Sequence, residues 1–309
     1  MGLFGGNFSK PGPGVDRDAP RKKGIFLYFE LFFRKIWKIV QVNTIYFLFS
    51  LPLLALLYVF LPIPNEFIAN MAASLGSGME QNMEIVGTLQ VGFRAMFAIG
   101  LFALWGSGPA SAGYAYVMRC FTREQHAWIW SDFWQQFKSN FKQAIVVVIV
   151  DIVALLFGLN ALLFYFHTYQ ATGSGIWLFI CYFTFLMLLI YTFMHYYIYQ
   201  MMVTFQCTIG QLYKNSLLFA FAKLPMNLLL TAIGVVLIYL AFMIIPSPIL
   251  SILLSLLIWV SVVGYPMQFY AARTFERTLL NGAIRMKEND REPEITYIDG
   301  EPEQNEEEE

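Results

Sequence analysis

Residues 144–166 read AIVVVIVDIVALLFGLNALLFYF, a run with one acidic side chain, Asp151, and no basic one. An α-helix rises about 1.5 Å per residue and the bilayer hydrocarbon is about 30 Å thick, so about 20 such residues cross it. Five more runs of this kind lie near residues 40–62, 93–118, 176–200, 226–246 and 249–271. Pro246-Ser247-Pro248 separates the last two and reads as the turn of a hairpin. The sequence therefore predicts an all-α polytopic membrane protein: a six-helix transmembrane bundle with cytoplasmic amphipathic helices, spanning residues 25–272.

Composition agrees. Of 309 residues, 58% are hydrophobic and 13% charged, where soluble domains carry about 25% charge. A water-soluble fold of this size lacks the polar surface to cover that much apolar area. A soluble enzyme, a nucleic-acid binder and a disulfide scaffold are excluded. Three cysteines, Cys120, Cys181 and Cys207, are too scattered for a disulfide framework or a metal site.

The charges are segregated. Under the six-span threading, nineteen of the twenty Lys and Arg residues fall in the N-terminal 38 residues, the connections 119–143 and 201–225, and the tail. The outer loops carry none, and only Arg94 lies at an outer edge. Basic residues stay on the cytoplasmic side, so both termini are expected there. Residues 1–24, with Lys10-Pro11-Gly12-Pro13-Gly14, read as a disordered arm. No signal peptide is expected, because the first long apolar run begins near residue 39. Residues 273–309 end in an acidic run and read as a largely disordered tail.

Two connections read as amphipathic helices. Residues 25–38 interleave Phe26, Phe29, Phe33 and Trp37 with Arg34, Lys35 and Lys38, which suits a helix lying in the headgroup region. In 119–143, Trp130, Phe133, Trp134, Phe137 and Phe141 recur at three- and four-residue steps. Lys138 and Lys142 lie on the other face, and Ser131 reads as N-cap with Asp132 in the first turn. This helix either lies on the membrane or docks into a partner; Trp130, Asp132, Phe133, Phe137, Lys138, Phe141 and Lys142 are the candidate contacts.

Three features carry possible chemistry. Gly106, Ser107, Gly108 and Pro109 fall within the second span, where a helix can break and restart with Ser107 or Gly108 as cap and Pro109 in the first turn. The freed N–H groups suit an anionic or polar ligand; the same small residues also allow close helix packing. Asp151 is the only acid within a span, and insertion of such a group costs roughly 2.5–3.5 kcal/mol. His195 approaches the same side, so the two are candidates for a proton relay, a ligand site or a structural hydrogen bond, with Asn160 and Tyr197 as alternative partners. His126 and His167 lie too far away to complete a zinc site. Tyr191, Phe193, Tyr196, Tyr197 and Tyr199 read as an interfacial aromatic belt or a sugar-stacking face. No nucleotide-binding loop, His-Glu-x-x-His, Gly-x-Ser-x-Gly or poised carboxylate pair is present, so neither catalysis nor a cofactor is expected.

The chain resembles the YesL family of small bacterial multi-pass membrane proteins. The resemblance rests on Met1-Gly2-Leu3-Phe4, Lys10-Pro11-Gly12-Pro13-Gly14-Val15, Phe33-Arg34-Lys35-Ile36-Trp37-Lys38 followed by Asn43, Gly108-Pro109-Ala110, and Asp132-Phe133 with Phe137-Lys138-Ser139-Asn140-Phe141-Lys142. Members are typically encoded beside ATP-binding-cassette carbohydrate importers and glycan-degrading enzymes. The resemblance implies an accessory role in sugar uptake, with permease and ATPase subunits as partners, and brings no catalytic residues. The long acidic tail departs from the family pattern. The alternatives are a permease in its own right, or a membrane sensor. Against the permease, Glu124-Gln125-His126-Ala127 does not supply the Glu-Ala-Ala…Gly signature of a coupling loop. Against the sensor, the tail is too short to fold alone.

Overall fold

The computed structural model describes residues 24–60, 63–76, 78, 81–243, 250, 254 and 260–280. The described residues are helical throughout, with short connections and no strand among them. Four helices are long and apolar enough to cross a membrane: α2 (Ile36–Phe60), α4 (Met83–Trp105), α7 (Phe141–Thr172) and α8 (Gly175–Met202). Two more, α9 (Ile209–Ala222) and α10 (Leu224–Met243), meet at a 90° bend and count as a fifth span if taken as one. The sixth predicted span falls partly outside the described residues, and its described part is α11 (Val260–Phe275). The Pro246-Ser247-Pro248 turn, the arm up to residue 23 and the tail beyond residue 280 also lie outside them.

The expected second span, 93–118, is not one helix. It divides into α4 and α5 (Pro109–Thr122), separated by Gly106-Ser107-Gly108. Gly106 and Gly108 adopt φ of 90° and 70°, a left-handed region that a Cβ disfavours. α4 also starts well before residue 93, because Asn82 caps it: the Asn82 side chain accepts from the N–H groups of Glu84 and Ile85 at 3.0 and 3.3 Å. The expected outer loop 63–92 thus holds α3 (Asn65–Leu75) and the first turns of α4. Arg94 lies inside α4 rather than at a loop edge, and its guanidinium reaches the Tyr58 carbonyl at 3.5 Å.

α7 and α8 are predominantly apolar, with mean hydropathy of 2.7 and 2.2 over their most apolar stretches, and leave no continuous polar stripe for water. They form an antiparallel hairpin turned by Gly173 in the left-handed region. Phe157, Phe179, Tyr182 and Phe183 are exposed along it, and such a surface is stable only against lipid. α7 has 32 residues, about 48 Å of helix, more than a bilayer's thickness.

α5 forms the axis of the bundle. Ala112, Ala115, Val117 and Met118 are fully buried, and α2, α6 (Ile129–Ser139), α8 and α11 surround it. α1 (Ile25–Arg34) is held to the bundle rather than lying free. Leu27 and Leu31 are buried, and Tyr28 stacks on Tyr265 at 5.3 Å, while Phe26, Phe29, Phe33 and Trp37 remain exposed. Arg34 bridges to Glu124 at 2.7 Å, and Lys35 donates to the Phe121 carbonyl at 3.2 Å. Burial, with Arg34 and Lys38 nearby, pushes the Lys35 ammonium below the usual lysine range.

α6 begins two residues before the expected cap. Its N-cap is Trp128, not Ser131, and the Asp132 carboxylate accepts from the Trp128 N–H at 2.9 Å. The helix packs against its own bundle: Phe133 is fully buried, and the Phe49 ring of α2 lies among Trp130, Phe133, Trp134 and Phe137. Only Asn140 separates α6 from α7.

Candidate functional site

Three elements converge at the break: the C-terminus of α4, the N-terminus of α5 and the C-terminal part of α8. Helix α5 restarts with Gly108 as N-cap and Pro109 in its first turn. The N–H groups freed by the break are taken up by the protein itself. Ser107 N–H donates to Ser111 Oγ at 2.6 Å and Gly108 N–H to the Tyr199 hydroxyl at 3.1 Å. Two more hydroxyl pairs tie the break to α2: Ser50–Ser107 at 2.6 Å and Tyr46–Ser111 at 3.0 Å. Close packing occurs as well, since a Cβ on Gly108 would collide with Val148 of α7. The break therefore serves packing and internal hydrogen bonding together. Tyr199→Phe is expected to cost about 1–3 kcal/mol by leaving the Gly108 N–H buried and unpaired. Thermal unfolding in detergent measures it, as a lowered transition temperature.

Asp151 and His195 meet directly. His195 Nε2 lies 2.8 Å from Asp151 Oδ1, and the Tyr191 hydroxyl donates to the same oxygen at 2.6 Å. The other ring nitrogen, Nδ1, lies 2.9 Å from the Tyr191 carbonyl. Trp105, the last residue of α4, stacks on the imidazole at 5.3 Å and 11° and donates its indole N–H to Thr192 at 2.8 Å. The His195 side chain is fully buried and Asp151 nearly so. Two small cavities flank the pair, each about 20 Å³, room for about one water molecule. One is polar and is lined by His195, Tyr46, Ser111, Tyr199 and Gln268. The other is apolar and is lined by Asp151, Leu53, Leu57 and Leu155. Both reach Trp105 and Gly106.

The remaining candidates lie elsewhere. Asn160 bonds the Leu156 carbonyl at 2.7 Å, and the Tyr197 hydroxyl donates to Asn227 at 2.7 Å, so neither joins Asp151. His126 pairs with the Trp128 ring, His167 lies beside Phe166, and no metal-ligating cluster exists among the described residues. The aromatic belt expected on α8 is corrected: Phe193, Tyr196, Tyr197 and Tyr199 are buried in the bundle, because α5, α9, α10 and α11 enclose that half of α8. Tyr196 and Tyr197 spend their hydroxyls on Thr231 and Asn227. On α6, Phe133 faces inward, Lys138 lies over the Trp134 ring at 4.9 Å, and Trp130 is exposed, as is its N-cap Trp128; Phe141 and Lys142, exposed as well, open α7.

The sequence reading missed Trp105 and Tyr191 as partners of the pair. A signal existed for Tyr191: it stands four residues before His195, on the same helical face. Trp105 carried none, since its position follows from where α4 ends.

No curated protein and no solved structure matches the chain. Residues 39–166, which hold α5, α6, the break and Asp151, match a family described as protein of unknown function, DUF624. This is the family of the YesL proteins, and over that segment the chain carries its pattern.

Proposed function

We propose that this protein is a non-catalytic accessory subunit of the bacterial plasma membrane, with both termini cytoplasmic, that supports a carbohydrate importer of the ATP-binding-cassette type. The observation that carries the reading is the two-sided character of α6. Its inner face is fixed by Phe133 against α5, while Trp128 and Trp130 stand exposed and Lys138 covers the neighbouring Trp134 ring. Exposed tryptophans are common anchors of protein interfaces. The YesL resemblance supplies the class of partner, permease and ATPase subunits. The water-sized cavities at the break favour this reading over a sugar conduit, because neither has room for a sugar ring.

The test is a mild-detergent pull-down from cells grown on a complex glycan. Permease and ATPase subunits are expected to co-purify, and Trp128→Ala with Trp130→Ala is expected to cut their recovery by about tenfold, equivalent to about 1.4 kcal/mol. Sugar uptake into vesicles holding the protein alone would sink the accessory role and support a permease.

A further inference from the structure

Nineteen basic side chains fall on one side of the six-span threading, and Arg94 is the exception. α2 has 25 residues, about 37 Å of helix, and Arg94 reaches the carbonyl of Tyr58, the third residue from its end. The guanidinium therefore sits near one end of that span, the end remote from α1. Its neighbours mark a boundary. One turn along α4 in one direction, Gln90 donates to Asn65 of α3 at 3.1 Å. About one turn in the other, Phe97 is exposed, and the rings of Phe67, Phe93 and Phe97 follow one another at 5.6 and 6.5 Å. Val59 and Phe60, exposed as well, close α2 next to Tyr58. Polar side chains thus give way to lipid-facing rings at Arg94, as they do at the edge of the hydrocarbon.

The guanidinium finds little to bind within the protein. It carries five N–H donors and no acceptor. Nη1 donates to the Tyr58 carbonyl, one of the last four of α2, at 3.5 Å, longer than a strong bond. Nε is buried and meets no acceptor among the described residues. Nη2 has no partner there either, and it is not buried. Arg94 joins none of the ion pairs among the described residues, whereas Arg34, Arg123 and Arg273, at the α1 end, each pair with a glutamate. A cation at an apolar edge without a counter-ion is costly. A bilayer supplies the counter-ion at that depth, the phosphates of its headgroups, and the planar guanidinium fork matches phosphate oxygens.

We propose that Arg94 is a binding site for the phosphate of a membrane phospholipid, in the leaflet remote from α1. The accessible edge of the fork, Nη2 with Nη1, holds the phosphate oxygens. The exposed rings of Phe60, Phe67 and Phe97 lie against the acyl chains. The Tyr58 carbonyl orients the guanidinium and in return is capped by it. This site is independent of which protein α6 contacts.

The experiment uses the purified full chain in nanodiscs that hold a limiting amount of phosphatidylglycerol with a photoreactive headgroup, followed by peptide mapping of the label. Labelling of the end of α2 and the first half of α4 is expected in the wild type. Arg94→Gln is expected to lower the yield there by about tenfold, while labelling of the basic segment before α2 stays unchanged and serves as the internal standard. Competition is run on the wild type, so the test stands even if Arg94→Gln fails to fold. Excess unlabelled phosphatidylglycerol should suppress the α2–α4 label, and diacylglycerol with the same chains should not, because it lacks the phosphate. Absence of label at α2–α4, or an equal yield from folded Arg94→Gln, overturns the proposal and leaves Arg94 as a cap of α2. Suppression by diacylglycerol overturns it as well, since the chains alone would then bind. Suppression by soluble glycerol phosphate alone would show a site for a free phosphate ester and would overturn the lipid as occupant.

Discussion

Asp151→Ala is expected to be the most damaging single substitution in the bundle, lowering stability by about 3–5 kcal/mol. The substitution removes the acceptor of two hydrogen bonds and leaves His195 with a buried, unpaired Nε2 and Tyr191 with an unpaired hydroxyl. It also opens a cavity among Leu53, Leu57 and Leu155. The mechanism is testable because its parts separate. If the cost comes from the orphaned histidine, adding His195→Leu should recover most of the loss, since a matched apolar replacement of a buried pair is often neutral or stabilising. If the cost comes from the cavity, the second change should add to it. Thermal unfolding of the two single variants and the double variant in one detergent closes the cycle; additive costs would refute the pairing argument.

The second large effect is expected at Gly113. A Cβ built there would lie 2.8 Å from both the ring and the carbonyl oxygen of Phe133, so α6 rests on α5 at backbone distance. The carbonyl cannot move without moving the helix. Gly113→Ala should cost about 1–3 kcal/mol through overpacking, and Gly113→Leu should push α6 away from α5 altogether. The accompanying sign is exposure: Phe133, now fully buried, would become reachable, and a cysteine placed at Phe137 would react faster with a water-soluble maleimide. Equal labelling rates in the parent and the Gly113→Leu background would show that α6 is held by something other than this contact. The same variant bears on the interface role of α6. A displaced helix should lose the proposed permease contact even though Trp128 and Trp130 are intact.

The parts of the fold that were legible are those whose physics is one-dimensional. The apolar runs at 36–60, 141–172 and 175–202 were located within a few residues, because spanning a bilayer depends on length and composition alone. The helix restart at Pro109 was legible because proline cannot donate and glycine tolerates left-handed backbone. The start of α6 was missed at Ser131 because the helix begins without a side-chain cap: Trp128 is the N-cap, and the Asp132 carboxylate reaches back to accept its N–H. The aromatic belt on α8 failed for another reason. Tyr and Phe look alike to a hydropathy reading whether they meet headgroups or neighbouring helices, and only the packing of α9, α10 and α11 separates the two.

What the sequence determined by itself is the membrane solvent, the helical class and the presence of one carboxylate that had to find a partner, because each follows from the transfer cost of local groups. What the tertiary structure alone decided is which partner. Asp151 chose His195 and Tyr191 over Asn160 because α7 and α8 run antiparallel from Gly173, which brings residues 40 and 44 positions apart to one level. α4 ends on that same level because α5 is displaced by the break, so a histidine four residues past Tyr191 meets Trp105 and a helix terminus that no local pattern announces.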